Sequence, residues 1–439
     1  MSDILKIEPI DNWLKKNNWA IYNHQIETLK LSENGYDVLL VAPTGGGKTL
    51  AGFLPSLNDL INNKPKKNKL HTLYISPLKA LTIDVHRNLT SPIEDQGLDI
   101  RVETRTGDTS AYKKNRQKVL PPDMLMTTPE SLALLLSNKE SKDYFKNLKY
   151  LVIDEIHTLV NTKRGDLLSL NLSRISSISP DCKRIGLSAT VKNKNDVLKF
   201  LTSKKKAKTL NVEETSVPKI DILETNNRVP WSGHMASYAI RDIYQKIKKS
   251  SLTIVFVNTR AQAELVFNKL WQENDNNLRI AIHHGSLEKE IRRKVESLMS
   301  LGKIDCVVAT SSLDLGIDWG DVDLVVQIGS PKGISRFLQR IGRSNHRFDE
   351  PSNALLVPSN RFEYLECLSA INSIKNKLLD ETKEKKGSLD VLAQHILGVA
   401  CSEPFQVDEL YKQVINAWPY RNLPKTKFFK VLEFGQNGG

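Results

Sequence analysis

Short apolar runs, four or five residues long, alternate through most of this chain with stretches whose apolar positions recur at helical spacing. Such runs read as strands buried on both faces, and their alternation with helices reads as βα units on a parallel sheet. The first half supplies strand candidates at 38–41, 72–75, 124–126, 151–153 and 184–187, and the second half at 253–257, 279–282, 306–309, 324–328 and 354–357. Two sets of this kind predict two similar α/β lobes, divided by a polar, proline-containing stretch around 204–230. From about residue 381 the pattern changes to three short helices at 390–400, 407–417 and 425–434. They are compatible with a winged-helix unit that lacks its wing strands, so a partial third domain is expected. The predicted domains are therefore 1–212, 213–380 and 381–439.

Length and composition sharpen this picture only in part. The 439 residues exceed one ordinary core. No window approaches a membrane-spanning apolar run, and residues 1–13 show no signal-peptide core, so no membrane association is expected. Cys182, Cys306, Cys367 and Cys401 are scattered and form no metal or disulfide spacing, which suits a reducing, cytoplasmic location. A net charge of +13 favours polyanions, with nucleic acid first among them, although lysine clusters at 64–69 and 204–208 also read as solvated loops.

Chemistry enters at two strand ends. The run Leu151-Val152-Ile153 delivers Asp154 and Glu155, with His157 two positions on. Adjacent carboxylates at such a place either face water or serve a cation and an attacking water, because buried unpaired charge is costly. The second strand end favours the latter. Strand 38–41 leads into Ala42-Pro43-Thr44-Gly45-Gly46-Gly47-Lys48-Thr49 and then a helix, the context of a phosphate-binding Walker loop. Its glycines let backbone N–H groups curl around phosphate, and the helix N-terminus adds positive charge. Lys48 reaches the outer phosphates and Thr49 holds Mg²⁺; Ala42 stands where the first glycine is usual. Asp154 then completes the Mg²⁺ site and Glu155 orients the water.

With these motifs in hand, the chain resembles the DExH-box helicases of superfamily 2 over nearly its whole length. Gln25 matches the adenine-reading glutamine of that group. Ser76-Pro77-Leu78-Lys79-Ala80-Leu81, Thr106-Gly107-Asp108 and Thr127-Thr128-Pro129-Glu130-Ser131 resemble its first-lobe nucleic-acid motifs, and Ser188-Ala189-Thr190 its coupling motif. In the second lobe Val255-Phe256-Val257-Asn258-Thr259-Arg260 and His283-His284-Gly285-Ser286 resemble strand-contact motifs. The segment from Ala309-Thr310 to Gly316-Ile317-Asp318 resembles the motif bridging nucleotide and strand, and Gln339-Arg340-Ile341-Gly342-Arg343 the arginine-finger motif. Gly329-Ser330-Pro331-Lys332-Gly333 and Leu389 through Ile396 resemble the large-helicase-related proteins, most of all their ligase-associated DNA-damage-response branch.

The resemblance implies two tandem RecA-like P-loop domains and a winged helix, ATP and Mg²⁺ as cofactors, and 3′-to-5′ movement on single-stranded DNA with unwinding of tailed duplexes in repair. It implies Lys48, Asp154, Glu155, Gln339 and Arg343 as catalytic. Gln25, Thr44, Gly45, Gly46, Gly47, Lys48, Thr49, Gly316 and Asp318 would bind nucleotide, and Thr49 and Asp154 the metal. Thr106, Thr127, Thr128, Thr259, Arg260 and Thr310 would grip the strand, while His157, Ser188 and Thr190 would couple the two events. DNA-repair proteins such as a ligase or nuclease are the implied partners. The second arginine of the finger motif is replaced by His346, with Arg347 beside it. Trp231 and Trp319 read either as base-stacking or as packing residues, and each threonine also reads as a helix cap. His283 and His284 have no further ligands at metal spacing. RNA or an RNA–DNA hybrid as substrate, or a non-processive ATP-dependent clamp, are the other readings left open.

Overall fold

The computed structural model describes residues 8–17, 19–43, 45–63, 68–189, 191–204, 206–212, 217–233, 235–314, 322–344, 351–380 and 385–437. The chain divides into two compact units, one built on residues 1–42, 47–212 and 382–439, the other on residues 43–46 and 213–381.

The first unit holds strands β1 (Asp37–Val41), β2 (Thr72–Ile75), β3 (Val102–Arg105), β4 (Met124–Thr127), β5 (Tyr150–Ile153), β6 (Lys183–Ser188) and β7 (Ala207–Asn211) in one sheet of order β3-β4-β2-β5-β6-β1-β7. Every pairing is parallel. The apolar runs predicted these central strands because helices cover both faces of the sheet, and β1, β2, β4 and β5 are buried throughout. Each fully buried Val or Leu there contributes about 1.5–3 kcal/mol.

The second unit holds β8 (Lys219–Ile222), β9 (Thr253–Phe256), β10 (Ile280–His283), β11 (Cys306–Ala309), β12 (Leu324–Ile328) and β13 (Asn353–Val357), in the order β10-β11-β9-β12-β13-β8 and again all parallel.

Three strands escaped the apolar-run criterion, and each lies at a sheet edge. β7 and β8 occupy the stretch expected to be a linker around 204–230, which is a correction to that expectation. Leu210 is the one buried residue of β7, and β8 buries none fully, so neither writes an apolar run. In β3 the buried positions are Glu103 and Arg105. Burial of Glu103 is compensated by Gln117 Nε2 at 2.8 Å and Arg116 at 2.6 Å, and Arg105 donates to the Lys114 carbonyl at 2.7 Å, all from one flanking helix. A strand whose inward residues are charged but paired leaves no hydrophobic signature.

The three predicted C-terminal helices form at Leu389–Ser402, Val407–Ile415 and Lys425–Asn437. Their core of Leu392, Ile396, Val414, Tyr420 and Phe428 is completed by Leu167 and Leu170 from the Lys163–Ile178 helix of the first unit. Polar contacts line the same seam. Asp166 accepts from the Ser388 N–H at 3.0 Å, Ser173 Oγ donates to the Gln413 carbonyl at 2.5 Å, and Arg174 donates to Ser402 Oγ. The start of the Lys163–Ile178 helix is equally tight. Thr162 caps it by accepting from the Gly165 N–H, and a Cβ at residue 165 would fall 2.0 Å from the Leu159 carbonyl oxygen.

His395 lies within this C-terminal core. It is buried, its Nε2 makes no hydrogen bond among the described residues, and burial followed by the nearby Arg174 charge pushes its pKa down to about 3 from 6.5. Between those values the unfolded chain binds a proton that the folded state refuses. Stability should therefore fall as pH drops below about 6.5, by up to about 1.4 kcal/mol per pH unit. Thermal unfolding between pH 7 and 5 should show a steeper loss for the parent than for His395→Phe; equal slopes would assign the acid sensitivity elsewhere.

Candidate functional site

All strands of the first sheet run parallel, so the residues following them gather at one carboxyl edge, where open α/β sheets place ligands. Strand order then sorts the motifs. Along β3, β4 and β2 come Thr106-Gly107-Asp108, Thr127-Thr128 and Ser76-Pro77. Along β5, β6 and β1 come Asp154-Glu155-Ile156-His157, Ser188 and the glycine loop. Motifs scattered across the sequence thus form two neighbouring groups on one edge.

The glycine loop is held open by backbone geometry. Gly45 and Gly47 have φ of 79° and 65°, in the region that favours glycine, and the helix Lys48–Asn63 begins at once. Lys48 Nζ donates to the Ala42 carbonyl at 2.9 Å, which draws the ammonium across the loop. Gln25 packs beneath it: Nε2 donates to the Gly47 carbonyl at 3.0 Å, and Oε1 accepts from the Tyr22 N–H at 2.9 Å. A Cβ at residue 47 would lie 2.6 Å from Gln25 Nε2, so the two are matched in shape. Thr44 lies outside the described residues.

Asp154 and Glu155 differ sharply in surroundings. Asp154 is buried; its Oδ2 accepts from the Tyr74 hydroxyl at 2.7 Å and its Oδ1 from the Glu155 N–H at 2.8 Å. Burial, reinforced by the Glu155 charge, still raises its pKa to about 6. Glu155 adopts φ 46° and ψ 38°, a left-handed conformation that costs a non-glycine residue roughly 1–3 kcal/mol. Its Oε2 is buried and accepts no hydrogen bond among the described residues. Lys48 is close enough for its charge to act on both Asp154 and His157.

This arrangement fits the Mg²⁺ that the sequence motifs imply. Two hard carboxylates, one with an uncompensated buried oxygen, call for positive charge, and Thr49 adds a hydroxyl at the helix start.

His157 ties the acid turn to β6. The Ala189 N–H donates to His157 Nδ1 at 3.3 Å, and Ser188 Oγ lies 3.2 Å from the same nitrogen. Nδ1 is thus the acceptor and the proton sits on Nε2. Burial, then the Lys48 charge, lower the His157 pKa to about 4, which keeps the ring neutral. The same Nδ1 is 3.6 Å from Glu155 Oε2. Thr190 lies outside the described residues.

The threonines take varied places. The Thr127 hydroxyl is buried and donates to the Arg105 carbonyl at 2.8 Å, so it stitches β4 to β3. Thr128 caps the helix Pro129–Leu136, and Thr106 shapes a turn by accepting from the Asp108 N–H. In the second unit, Thr259 caps the helix Arg260–Gln272 in a capping box with Gln262, and Thr310 stands at the cap of a short 3₁₀ turn. Thr259 and Arg260 are exposed. Several of their backbone N–H groups are also used within the fold: Thr106 N–H donates to Thr109 Oγ1 at 2.9 Å, Thr259 N–H to Gln262 Oε1 at 3.1 Å and Thr310 N–H to the His283 carbonyl at 3.3 Å, so what Arg260 adds is exposed charge.

Gln339 is half-buried on the helix Ile334–Ile341, and Arg343 follows it, buried, with Nη2 donating to the Asp314 carbonyl at 3.4 Å. Arg340 is the residue that anchors this helix: it donates to Asp314 Oδ1 at 2.7 Å and Gln327 Oε1 at 2.6 Å, and its guanidinium lies over the Phe256 ring. Gly316, Asp318, Trp319, His346 and Arg347 lie outside the described residues. His283 meets Glu296 and His284 meets Glu264, each at hydrogen-bond distance within the same unit.

Tyr74 and Asp314 carry roles that the sequence did not disclose. Tyr74 reaches Asp154 only because β2 lies beside β5 in the register Tyr74↔Val152. Asp314 stood inside a quoted motif, but its bond to Arg340 required the fold.

Residues 22–197 match the DEAD/DEAH box helicase family, residues 237–348 the helicase conserved C-terminal domain, and residues 372–439 the winged helix domain of the large helicase-related proteins. The chain is 36% identical to ATP-dependent helicase Lhr-Core protein 2 of Thermococcus barophilus, over 97% of its own length and 52% of that protein. It is 32% identical to the Lhr helicase/uracil glycosylase of Escherichia coli, over 93% of its own length and 31% of the relative. Among solved structures, the Mycobacterium smegmatis helicase Lhr bound to ssDNA and AMP-PNP matches with a TM-score of 0.86 at 32% identity, over 97% of this chain and 57% of that one. The chain therefore spans about half the length, or less, of these relatives. Its architecture is two tandem RecA-like domains followed by a winged-helix domain.

Removing the Tyr74 hydroxyl should expose how finely Asp154 is held. A hydrogen bond to a buried charged group is worth about 1.5–3 kcal/mol, and this bond favours the ionised form. Tyr74→Phe should raise the Asp154 pKa further and move the acid limb of Mg²⁺-dependent nucleotide binding to higher pH. Titration of nucleotide affinity against pH in parent and variant measures the shift; superimposable curves would mean that the bond does not tune Asp154.

Proposed function

The chain belongs to the large-helicase-related family of superfamily 2 helicases, and on that premise we propose that it is an ATP-dependent motor that moves along single-stranded DNA and unwinds tailed duplexes. The observation that carries this reading is the sorting of one sheet edge, with phosphate loop and acids on β5, β6 and β1 and polar backbone turns on β3, β4 and β2. That the M. smegmatis Lhr structure was solved with ssDNA and AMP-PNP supports DNA and an adenine nucleotide as the ligands.

The residues divide the chemistry between them. Lys48 and the N–H groups of Gly45, Gly46 and Gly47 bind the phosphate chain, and Gln25 orients against the loop and reads the base edge. Thr49 and Asp154 would hold Mg²⁺, whose charge would offset that of the phosphates. Glu155, in its left-handed turn, accepts a hydrogen bond from the attacking water and aligns it with the γ-phosphate. Arg343 stabilises charge developing in the transition state and Gln339 assists. His157, neutral and bonded to β6, relays the state of the acid turn toward Ser188. By the family resemblance Gly316 and Asp318 bind the nucleotide, with Asp318 toward the ribose.

On the strand side, Thr106, Thr127, Thr128, Thr259, Arg260 and Thr310 mark the turns whose backbone or charge meets phosphates. Such contacts position without reading sequence, so binding should be weakly sequence-dependent and strongly salt-dependent. Movement in the 3′-to-5′ sense, a role in DNA repair, and a ligase or nuclease as partner follow from the family resemblance. The finer ligase-associated assignment rests on the motifs at 329–333 and 389–396. Among the described residues no helix is long and apolar enough to cross a membrane.

ATP turnover should be measured with single-stranded DNA, single-stranded RNA and no nucleic acid over a salt series. Stimulation by DNA that weakens with salt is the expected result; stimulation by RNA alone would transfer the reading to an RNA-directed ATPase, and none by either would leave a clamp. Glu155→Gln should lose at least about 100-fold in turnover while retaining ATP affinity. Parental turnover in that variant would remove Glu155 from its role.

A further inference from the structure

In the second unit, β8 runs parallel to β13, so the loop leaving β8 emerges at the edge where β13 hands over to the helix Arg361–Lys375. That loop is pinned from several sides. The Arg361 N–H donates to the Pro230 carbonyl at 3.0 Å, Arg361 Nε to the Val229 carbonyl at 3.2 Å, and Asn360 Nδ2 to the Gly233 carbonyl at 2.9 Å. Asn227 Nδ2 donates to the Tyr238 carbonyl at 3.1 Å, and the Tyr238 hydroxyl to the Pro358 carbonyl at 2.7 Å.

At the centre of this bracing stands Trp231, which is 68% exposed, with the Arg361 guanidinium 4.1 Å from its ring centroid. Beside them Phe362 is 70% exposed, and Arg228 is exposed on the same loop. An indole whose purpose was packing would bury its ring, since exposing so large an apolar face forfeits its hydrophobic stabilisation. Here the hydrogen bonds instead tie down the loop backbone on both sides of Trp231, while the ring itself stays exposed.

The position suits a polyanion with flat rings. The same edge carries exposed Thr259 and Arg260 after β9, and Asn258 Nδ2 donates to the Ser330 carbonyl at 3.0 Å, joining the turns after β9 and β12. From β9 through β12 and β13 to β8, backbone turns, cations and an exposed indole therefore follow one another. Strand binders combine these elements: cations track the phosphates, and aromatic faces accept any base.

We propose that Trp231 is a base-stacking platform for single-stranded nucleic acid, braced by Arg361, whose guanidinium also meets the neighbouring phosphate. The proposal deepens the motor reading above and rests on it. Because every base has a π-face, the platform is indifferent to sequence but requires a base.

That requirement sets the test. Binding of the full chain to fluorescent oligothymidine is compared with binding to an abasic oligonucleotide of equal length, for the parent, Trp231→Ala and Trp231→Phe. The parent should prefer the base-bearing strand. Trp231→Ala should weaken oligothymidine binding by roughly tenfold while changing abasic binding little, and Trp231→Phe should restore most of the difference. An unchanged preference in Trp231→Ala, or an equal loss on both strands in both variants, would overturn the platform while leaving the motor reading intact. A parent that binds neither strand would overturn the motor reading, and the platform with it.

Discussion

A buried carboxylate and a half-buried one, side by side at the end of β5, set the terms for the rest of this structure. Such a pair cannot remain charged without compensation, and the protein supplies it only partly. Asp154 receives a hydroxyl and a backbone N–H, yet its pKa is still raised to about 6, and Glu155 keeps a buried oxygen with no hydrogen bond among the described residues. The remainder is left for a cation, a water and the lysine of the glycine loop. The parallel sheet makes this possible by bringing β5, β6 and β1 together, so that residues far apart in sequence share one edge.

Much of that arrangement was legible in the chain. A buried central strand writes a continuous apolar run, and a phosphate loop writes its glycines, lysine and threonine at fixed spacing. Edge strands were not legible, because β7 and β8 spend half their surface on solvent and β3 buries ionic side chains that a flanking helix satisfies. Partner choice was not legible either. Nothing local in Tyr74 or Asp314 states that one supports Asp154 and the other anchors Arg340; both facts depend on strand neighbours fixed by the whole sheet.

The threonines show the same limit from another side. Their positions after parallel strands are those of phosphate-gripping turns, but the hydroxyl of Thr127 joins two strands and those of Thr128 and Thr259 cap helices. Residue type marked the turn, whereas the hydrogen-bond inventory of the folded chain decided what the side chain does. Even the backbone N–H groups of Thr106, Thr259 and Thr310 are spent inside the fold, so the residue type marks where a turn stands and not which group it presents.

The close approach at Gly165 has a mechanical consequence. The Leu159 carbonyl, just after the turn bearing the acids, and the first turn of the Lys163–Ile178 helix fit with no room for even one added carbon atom. Further along, that helix is welded to the C-terminal helices through Leu167, Leu170, Asp166 and Arg174. Two stiff joints in series have little slack between them. A load applied to the C-terminal helices is therefore carried along the helix as along a strut, and its reaction is borne at the turn that holds Glu155 in its strained conformation.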